Sequence, residues 1–279
     1  MIASEMQAIL SIKDFRRLSR FIEKEIGIRM PEVKRIMLQS RLQKRLFALQ
    51  MKSFSEYLDF VFSANGKEEI ICMTDLITTN KTDFFREPDH FEFLTRNVLP
   101  QLVNTQTAPV FINCWSAGCS SGEEVYTLAI VLAEYTANFR KFDYHIIGTD
   151  ISTRMLKKAR EGVYSMHAVR MIPLYLKKKY FLKGKNEKAH LVKIVPDLMN
   201  KTDFQYLNLM DETYNMPMFD IILCRNVLIY FEKALQERIL IKLCSRLKTN
   251  GFLLLGHSES VIGFDLPVVQ ILPTILKKV

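Results

Sequence analysis

The chain has 279 residues, 48% hydrophobic and 25% charged, a composition that excludes bulk disorder and leaves room for one or two folded domains. Its 39 Lys and Arg against 30 Asp and Glu give a net charge of +9, which predicts attraction to something acidic without saying what. Five cysteines without a C-x-x-C pair argue against a disulfide framework or a zinc knuckle, and no apolar run reaches the ~18 residues of a membrane span.

The N-terminal stretch carries an acid at Glu5 and no basic segment before an apolar core, so no signal peptide is expected and the protein is placed in the cytoplasm. Residues 1–78 show helical periodicity and read as a small all-α domain. An amphipathic helix over Asp14–Ile26 stops at Gly27. Between Arg29 and Lys52 lie seven basic residues and one acid, Glu32. This stretch predicts a helix opened by Pro31, with Val33, Met37, Leu38, Leu42, Leu46 and Leu49 on one buried stripe. Lys34, Arg41, Arg45 and Lys52 share another face, which is either a solvated surface or a docking surface for an acidic helix or nucleic acid. Ser53-Phe-Ser-Glu56 is a capping-box pattern, Ala64-Asn-Gly66 is a break, and Lys67–Ile77 is a fourth helix.

From residue 79 to 279 the pattern alternates between strands and helices, predicting a doubly wound, Rossmann-like α/β sheet covered on both faces. Strands are expected at Val110–Trp115, Tyr144–Thr149, Phe219–Cys224 and Gly251–Gly256, and Val268–Leu276 closes the sheet. Residues 164–209 interrupt the pattern. A basic helix over Ile172–Phe181 and strands at His190–Val195 and Asp203–Leu207 read as a small antiparallel β insertion.

Ligands of such sheets sit at the carboxyl ends of the strands. Three features fall there, with an acid pair just past the first of them. The turn Ser116–Gly122 has glycines at 118 and 122 that allow close backbone approach, but it is not a G-x-G-x-x-G phosphate cradle. Asp150, past the second strand, is either a carboxylate for ribose hydroxyls or a helix cap shared with Ser152. Glu123 and Glu124 either complement a helix dipole or pair with a ligand ammonium. A polar Arg-Asn pair ends the third strand in Cys224-Arg-Asn-Val-Leu-Ile-Tyr-Phe231. A nucleoside ligand without a phosphate cradle points to S-adenosylmethionine (SAM). The five histidines show no metal-ligand spacing, so no metal is expected, and His257 reads as a structural donor.

Four segments, Thr78-Thr-Asn-Lys-Thr-Asp-Phe-Phe-Arg-Glu87, Trp115-Ser-Ala-Gly-Cys-Ser-Ser-Gly-Glu-Glu124, Cys224–Phe231 and Gly256-His-Ser-Glu259, resemble in order the signatures of the CheR family of chemotaxis receptor methyltransferases. The resemblance spans nearly the whole chain and departs at Val125, where the family commonly has proline. It implies a cytoplasmic enzyme that moves the methyl of SAM onto glutamates of chemoreceptors, giving γ-glutamyl methyl esters and S-adenosylhomocysteine. It implies cofactor contacts from Asn80, Thr82, Arg86, Glu124, Asp150, Asn208, Leu209, Asn226 and Val227, with Arg86 and Tyr230 as catalytic or substrate-orienting groups. It also gives Lys34, Arg41 and Arg45 a substrate, the acidic cytoplasmic helices of receptors, and in some relatives the β insertion grips a receptor C-terminal peptide. No nucleic-acid partner and no membrane insertion are expected. The competing readings are a nucleic-acid methyltransferase, suggested by charge but lacking the Asn/Asp-Pro-Pro-aromatic run, and a non-catalytic SAM-binding regulatory module.

Overall fold

Ser11 accepts a hydrogen bond from the Asp14 N–H at 3.0 Å and so opens the first helix, α1 (Ile12–Ile26). Gly27 ends it in the left-handed conformation, φ 77°, and Phe15, Leu18, Ile22 and Ile26 form its buried stripe. In this computed structural model, which describes residues 8–104, 110–138 and 142–279, the Glu5 end lies outside the described residues. Pro31 precedes a 3-10 turn, Glu32–Lys34, rather than starting the next helix itself, and α2 runs Arg35–Ala48. Its Leu38, Leu42 and Leu46 are buried, whereas Val33 is 85% exposed, because the 3-10 turn breaks the helical register that would carry it inward. Ser53 caps α3 (Phe54–Val61) through the Glu56 N–H, while the Glu56 carboxylate returns to the N–H of Lys52 instead of Ser53. The fourth helix, α4, is Lys67–Ile77.

These helices form one compact unit, Met1–Thr79 together with Tyr230–Glu232. Two cations of the expected basic face are engaged inside it. Arg41 Nη1 donates to the carbonyls of Leu76, Ile77 and Thr78, satisfying the C-terminal end of α4. Arg45 grips the buried Glu69 carboxylate with two hydrogen bonds, 2.8 and 2.6 Å, and the Tyr57 hydroxyl donates to the same carboxylate at 2.9 Å. Burial, reinforced by that carboxylate, pushes the Tyr57 pKa far up, so the hydroxyl stays a donor.

The second unit comprises Asn80–Ile229 and Lys233–Val279. Its elements in order are α5 (Pro88–Phe93), α6 (Leu99–Asn104), β1 (Val110–Ala117), α7 (Glu123–Asn138), β2 (Phe142–Asp150), α8 (Thr153–Glu161), β3 (Val163–Ser165), α9 (Leu174–Tyr180), β4 (Phe181–Lys183), β5 (Leu191–Ile194), α10 (Pro196–Met199), β6 (Thr202–Tyr206), β7 (Phe219–Cys224), α11 (Lys233–Ser245), β8 (Leu247–Leu255), β9 (Val268–Leu272) and β10 (Ile275–Lys278). The main sheet has seven strands in the order β6-β2-β1-β7-β8-β10-β9. The first five pair in parallel, and β10 runs antiparallel to both neighbours. Strand order reverses between β1 and β7, which makes their carboxyl ends the switch point. Trp115, fully buried on β1, donates its indole N–H to Thr149 Oγ1 on β2 at 2.9 Å and lies against Tyr214 and Phe219.

Two expectations change. The segment Asp203–Leu207, read as part of the 164–209 insertion, is mostly strand β6 of the main sheet, parallel to β2; the insertion's own sheet is β3-β5-β4. The apolar run Val268–Leu276 does close the sheet, but as the hairpin β9–β10 turned at Pro273-Thr274 and not as a single strand.

Removing Arg45 leaves the Glu69 charge buried without its cation. Arg45→Ala is expected to destabilise the all-α unit by about 2–4 kcal/mol, somewhat less than a fully buried pair because Arg45 keeps some solvent contact. Urea unfolding of the full chain, followed by far-UV circular dichroism, checks this.

Candidate functional site

The site begins where β1 turns. Gly118, at φ +84°, sits so close to Val227 that a Cβ there would lie 2.4 Å from Val227 Cγ2. The N–H groups of Gly118 and Cys119 both donate to the Thr149 carbonyl, tying this turn to the end of β2. Gly122, also expected to approach a ligand, instead faces Ala159 and the Tyr164 hydroxyl, and its role is to let the turn pack against α8 and β3.

Asp150, 9% exposed, closes β2. Its carboxylate accepts the N–H of Ser120 and that of Ser152, each at 2.8 Å. Capping of α8 falls to Ser152, whose hydroxyl accepts from Met155 N. Asp150 therefore braces the β1 turn instead of starting a helix. Ser120 also donates through its hydroxyl to the Asn80 carbonyl, which joins the Thr78–Glu87 segment to the same rim.

Arg225 is the hub of the site. It follows the wholly apolar end of β7, and its side chain is 1% exposed. The guanidinium donates to Glu124 Oε2 at 3.0 Å, to Glu87 Oε2 at 2.9 Å and to the Arg86 carbonyl at 2.5 Å. Glu124 accepts a further bond from Ser116 Oγ at 2.8 Å. Glu87 accepts from Asn226 Nδ2 at 3.1 Å and from the N–H of His257 at 3.3 Å. Burial works to raise the Glu87 pKa, but the hydrogen bonds from Asn226 and Arg225 outweigh it, and the net shift is downward. His90, buried beside them, is pushed down to about 4 by burial and then by the Arg225 charge.

Glu259 performs the matching task for the loop after β7. Its carboxylate accepts four backbone N–H groups, from Asn226, Val227, Leu228 and Gly256, at 2.6–3.0 Å. Burial raises its pKa, and the four donors oppose that rise.

Strain gathers around the same contacts. Phe85, Glu87, Ser120 and Asn226 all have φ between 49° and 60°, a region that costs side-chain-bearing residues roughly 1–3 kcal/mol each. Every one is held: Phe85 N–H by Thr127 Oγ1, Glu87 by Arg225, Ser120 N–H by Asp150, and Asn226 N–H by Glu259.

The structure thus brings Asn80, Arg86, Glu124, Asp150, Asn226 and Val227 to one rim through a connected set of contacts. Thr82 is half-buried on the Asn80–Arg86 loop. Asn208 and Leu209 follow Leu207, whose N–H donates to the Asp150 carbonyl; Asn208 Oδ1 accepts from Met210 N, and the Leu209 carbonyl accepts from Tyr214 and Lys242. The Arg86 guanidinium donates to the Lys81 carbonyl at 3.1 Å. It makes no ion pair with Glu87 or Asp89 among the described residues, since Arg225 takes the first and His257 the second. Tyr230 groups with the all-α unit, where its carbonyl accepts from the Arg29 N–H, and Lys34, Arg41 and Arg45 also belong to that unit. Glu87 and Glu259 were not named as site residues by the sequence reading, and Arg225 was marked only as one of the polar pair ending the third strand. The available signal was an arginine ending a buried strand, which requires carboxylates from elsewhere.

The profile described as CheR methyltransferase, SAM binding domain, matches residues 80–271, and that of CheR methyltransferase, all-alpha domain, matches residues 13–78. The "Chemotaxis protein methyltransferase" of Borreliella burgdorferi is 38% identical over 95% of this chain and 94% of its own length. That of Salmonella typhimurium is 35% identical over 90% and 85%. "Chemotaxis protein methyltransferase 2" of Pseudomonas aeruginosa is 34% identical over 90% and 87%.

A carboxylate whose pKa is lowered by folding stabilises the protein above its unfolded pKa, and that contribution is lost as pH falls through the folded value. Glu87→Gln is therefore expected to reduce stability at pH 7 and to flatten the fall in stability below about pH 4.5, where the unfolded carboxyl begins to protonate. Urea midpoints measured from pH 7 to pH 3 check both parts.

Proposed function

The chain belongs to the CheR methyltransferase family, and from that premise we propose that it transfers the methyl group of S-adenosylmethionine to glutamate side chains of methyl-accepting chemotaxis receptors, yielding γ-glutamyl methyl esters and S-adenosylhomocysteine. The observation that carries this reading is the gathering of Arg86, Glu124, Asp150 and Asn226 at the rim of β1, β2 and β7. No helix among the described residues is long and apolar enough to cross a membrane.

The donor set fits the cofactor. The strand-end carboxylate of Asp150 suits a ribose diol, and Glu124 suits an ammonium. At residue 118 any side chain would collide with Val227, so the glycine keeps the turn low beneath the rim. Asn80, Thr82, Asn208 and Asn226 supply amide and hydroxyl partners, and Leu209 and Val227 supply apolar wall. When bound, the sulfonium supplies an electrophilic methyl group.

The residues of this chain then have to bring in an anion and align it. A glutamate carboxylate is ionised at pH 7, so no general base is needed. Arg86 is assigned to hold the incoming carboxylate, and Tyr230 keeps the orienting role that the family resemblance gives it. Alignment of this kind supplies ~7–11 kcal/mol of barrier lowering in favourable cases. Lys34 and Arg41 bond only backbone carbonyls among the described residues, so they keep net charge for steering an acidic receptor helix. Arg45 contributes less to that field, because Glu69 matches its charge.

Transfer of tritiated methyl from SAM to receptor-rich membranes, with release of the label by base, tests the proposal. Label in nucleic acid, or cofactor binding without transfer, would overturn it. Asp150→Ala is expected to weaken S-adenosylhomocysteine binding by roughly 1.5–3 kcal/mol, about 10- to 150-fold in Kd by calorimetry. Asp150→Asn, which still offers an oxygen to the Ser120 N–H, is expected to lose less.

A further inference from the structure

Glu87 and His90 stand at i and i+3 while His257 is remote in sequence, yet one potential ligand atom from each falls within 4.8 Å of the others. Each histidine has one ring nitrogen settled by an oxygen. His90 Nε2 lies 2.8 Å from Thr274 Oγ1, and His257 Nε2 lies 2.9 Å from Asp89 Oδ2. That leaves both Nδ1 atoms. His90 Nδ1 is buried, on a residue 1% exposed, and has no hydrogen-bond partner; it lies 3.5 Å from Glu87 Oε2. A buried ring nitrogen without a partner costs free energy unless something occupies that direction. The two rings stand edge to face with centroids 4.9 Å apart.

We propose that His90 Nδ1, His257 Nδ1 and the Glu87 carboxylate form a binding site for a divalent transition-metal cation of the zinc type. The ligand set is two neutral imidazoles and one carboxylate, which suits zinc, and a tetrahedral site with ligand bonds near 2.0–2.1 Å needs donor separations of about 3.3 Å. Contraction from the present spacing is within reach of the half-exposed His257 side chain. The Asp89–His257 hydrogen bond is the arrangement that holds a metal-bound imidazole in the correct tautomer, and Thr274 does the same for His90.

A cavity of about 470 Å³, lined by Asp89, His90, Arg96, His257 and Thr274 among others, adjoins the histidines and admits a water as fourth ligand. Arg225 already donates to Glu87 Oε2, but a carboxylate oxygen has two lone pairs and serves a cation as well. The inference stands on this geometry alone and does not depend on the proposed reaction.

The test uses the full chain, free of any affinity tag and stripped with a chelator, titrated with Zn²⁺ in competition with a chromophoric chelator. One Zn²⁺ per chain is expected. His257→Ala and Asp89→Asn should each weaken binding about tenfold or more, while His190→Ala, an exposed histidine elsewhere, should leave it unchanged. His257 is half-exposed, so its removal does not threaten the fold. Co²⁺ substituted for Zn²⁺ should give the visible absorption of a four-coordinate centre in the wild type and not in His257→Ala. Equal Zn²⁺ affinity in wild type and His257→Ala, an equal loss in His190→Ala, or only weak binding at several sites would overturn the proposal.

Discussion

A single buried guanidinium organises the candidate site. Arg225 cannot remain charged at the end of an apolar strand unless carboxylates and carbonyls come to it, and those it takes arrive from two other segments of the chain. Glu87 and the Arg86 carbonyl bring the Thr78–Glu87 loop; Glu124 brings the first turn of α7. The charge requirement of one residue thus places three motif segments against one another. A buried ion pair of this kind adds little net stability compared with an apolar core, but breaking it is expensive, which makes it a device for specifying one arrangement.

Glu259 answers the same need from the other side. Four N–H groups of the loops after β7 and β8 point at its carboxylate, so these turns are shaped before any ligand arrives. The four left-handed residues of the rim persist because each is tied down by such a bond. The proposed transfer to a carboxylate needs no proton removal and gains mainly from alignment, which a network of fixed loops provides.

Much of the fold was legible because its signals are local. Ser11, Gly27 and Ser53 mark helix ends by their own chemistry, and the helix over Lys67–Ile77 has the bounds that its pattern suggested. The uniformly apolar strands announced a covered sheet. What failed depends on partners remote in sequence. Whether Asp203–Leu207 pairs with the insertion or with β2 is decided by the edge left open beside β2, which no local pattern reports. The turn at Pro273-Thr274 carries a proline as a break signal but not the asparagine-glycine or glycine-first pair that marks a two-residue hairpin. The stripe of cations on α2 was visible, but Glu69, which claims Arg45, sits on another helix and reads from sequence as an ordinary acid in a first turn. Arg225 was visible as a polar residue at a strand end, whereas Glu87, its partner, lies 138 residues away. The same distance blindness hid the meeting of His90 and His257.

Trp115 adds an optical consequence. It is the one tryptophan of the chain, it is fully buried, and its indole N–H is bonded to the residue immediately before Asp150. Its emission therefore arises from a single place, one hydrogen bond from the switch-point rim. Any occupant that shifts the ends of β1 and β2 registers in the fluorescence of the unlabelled protein, so the fold carries its own reporter.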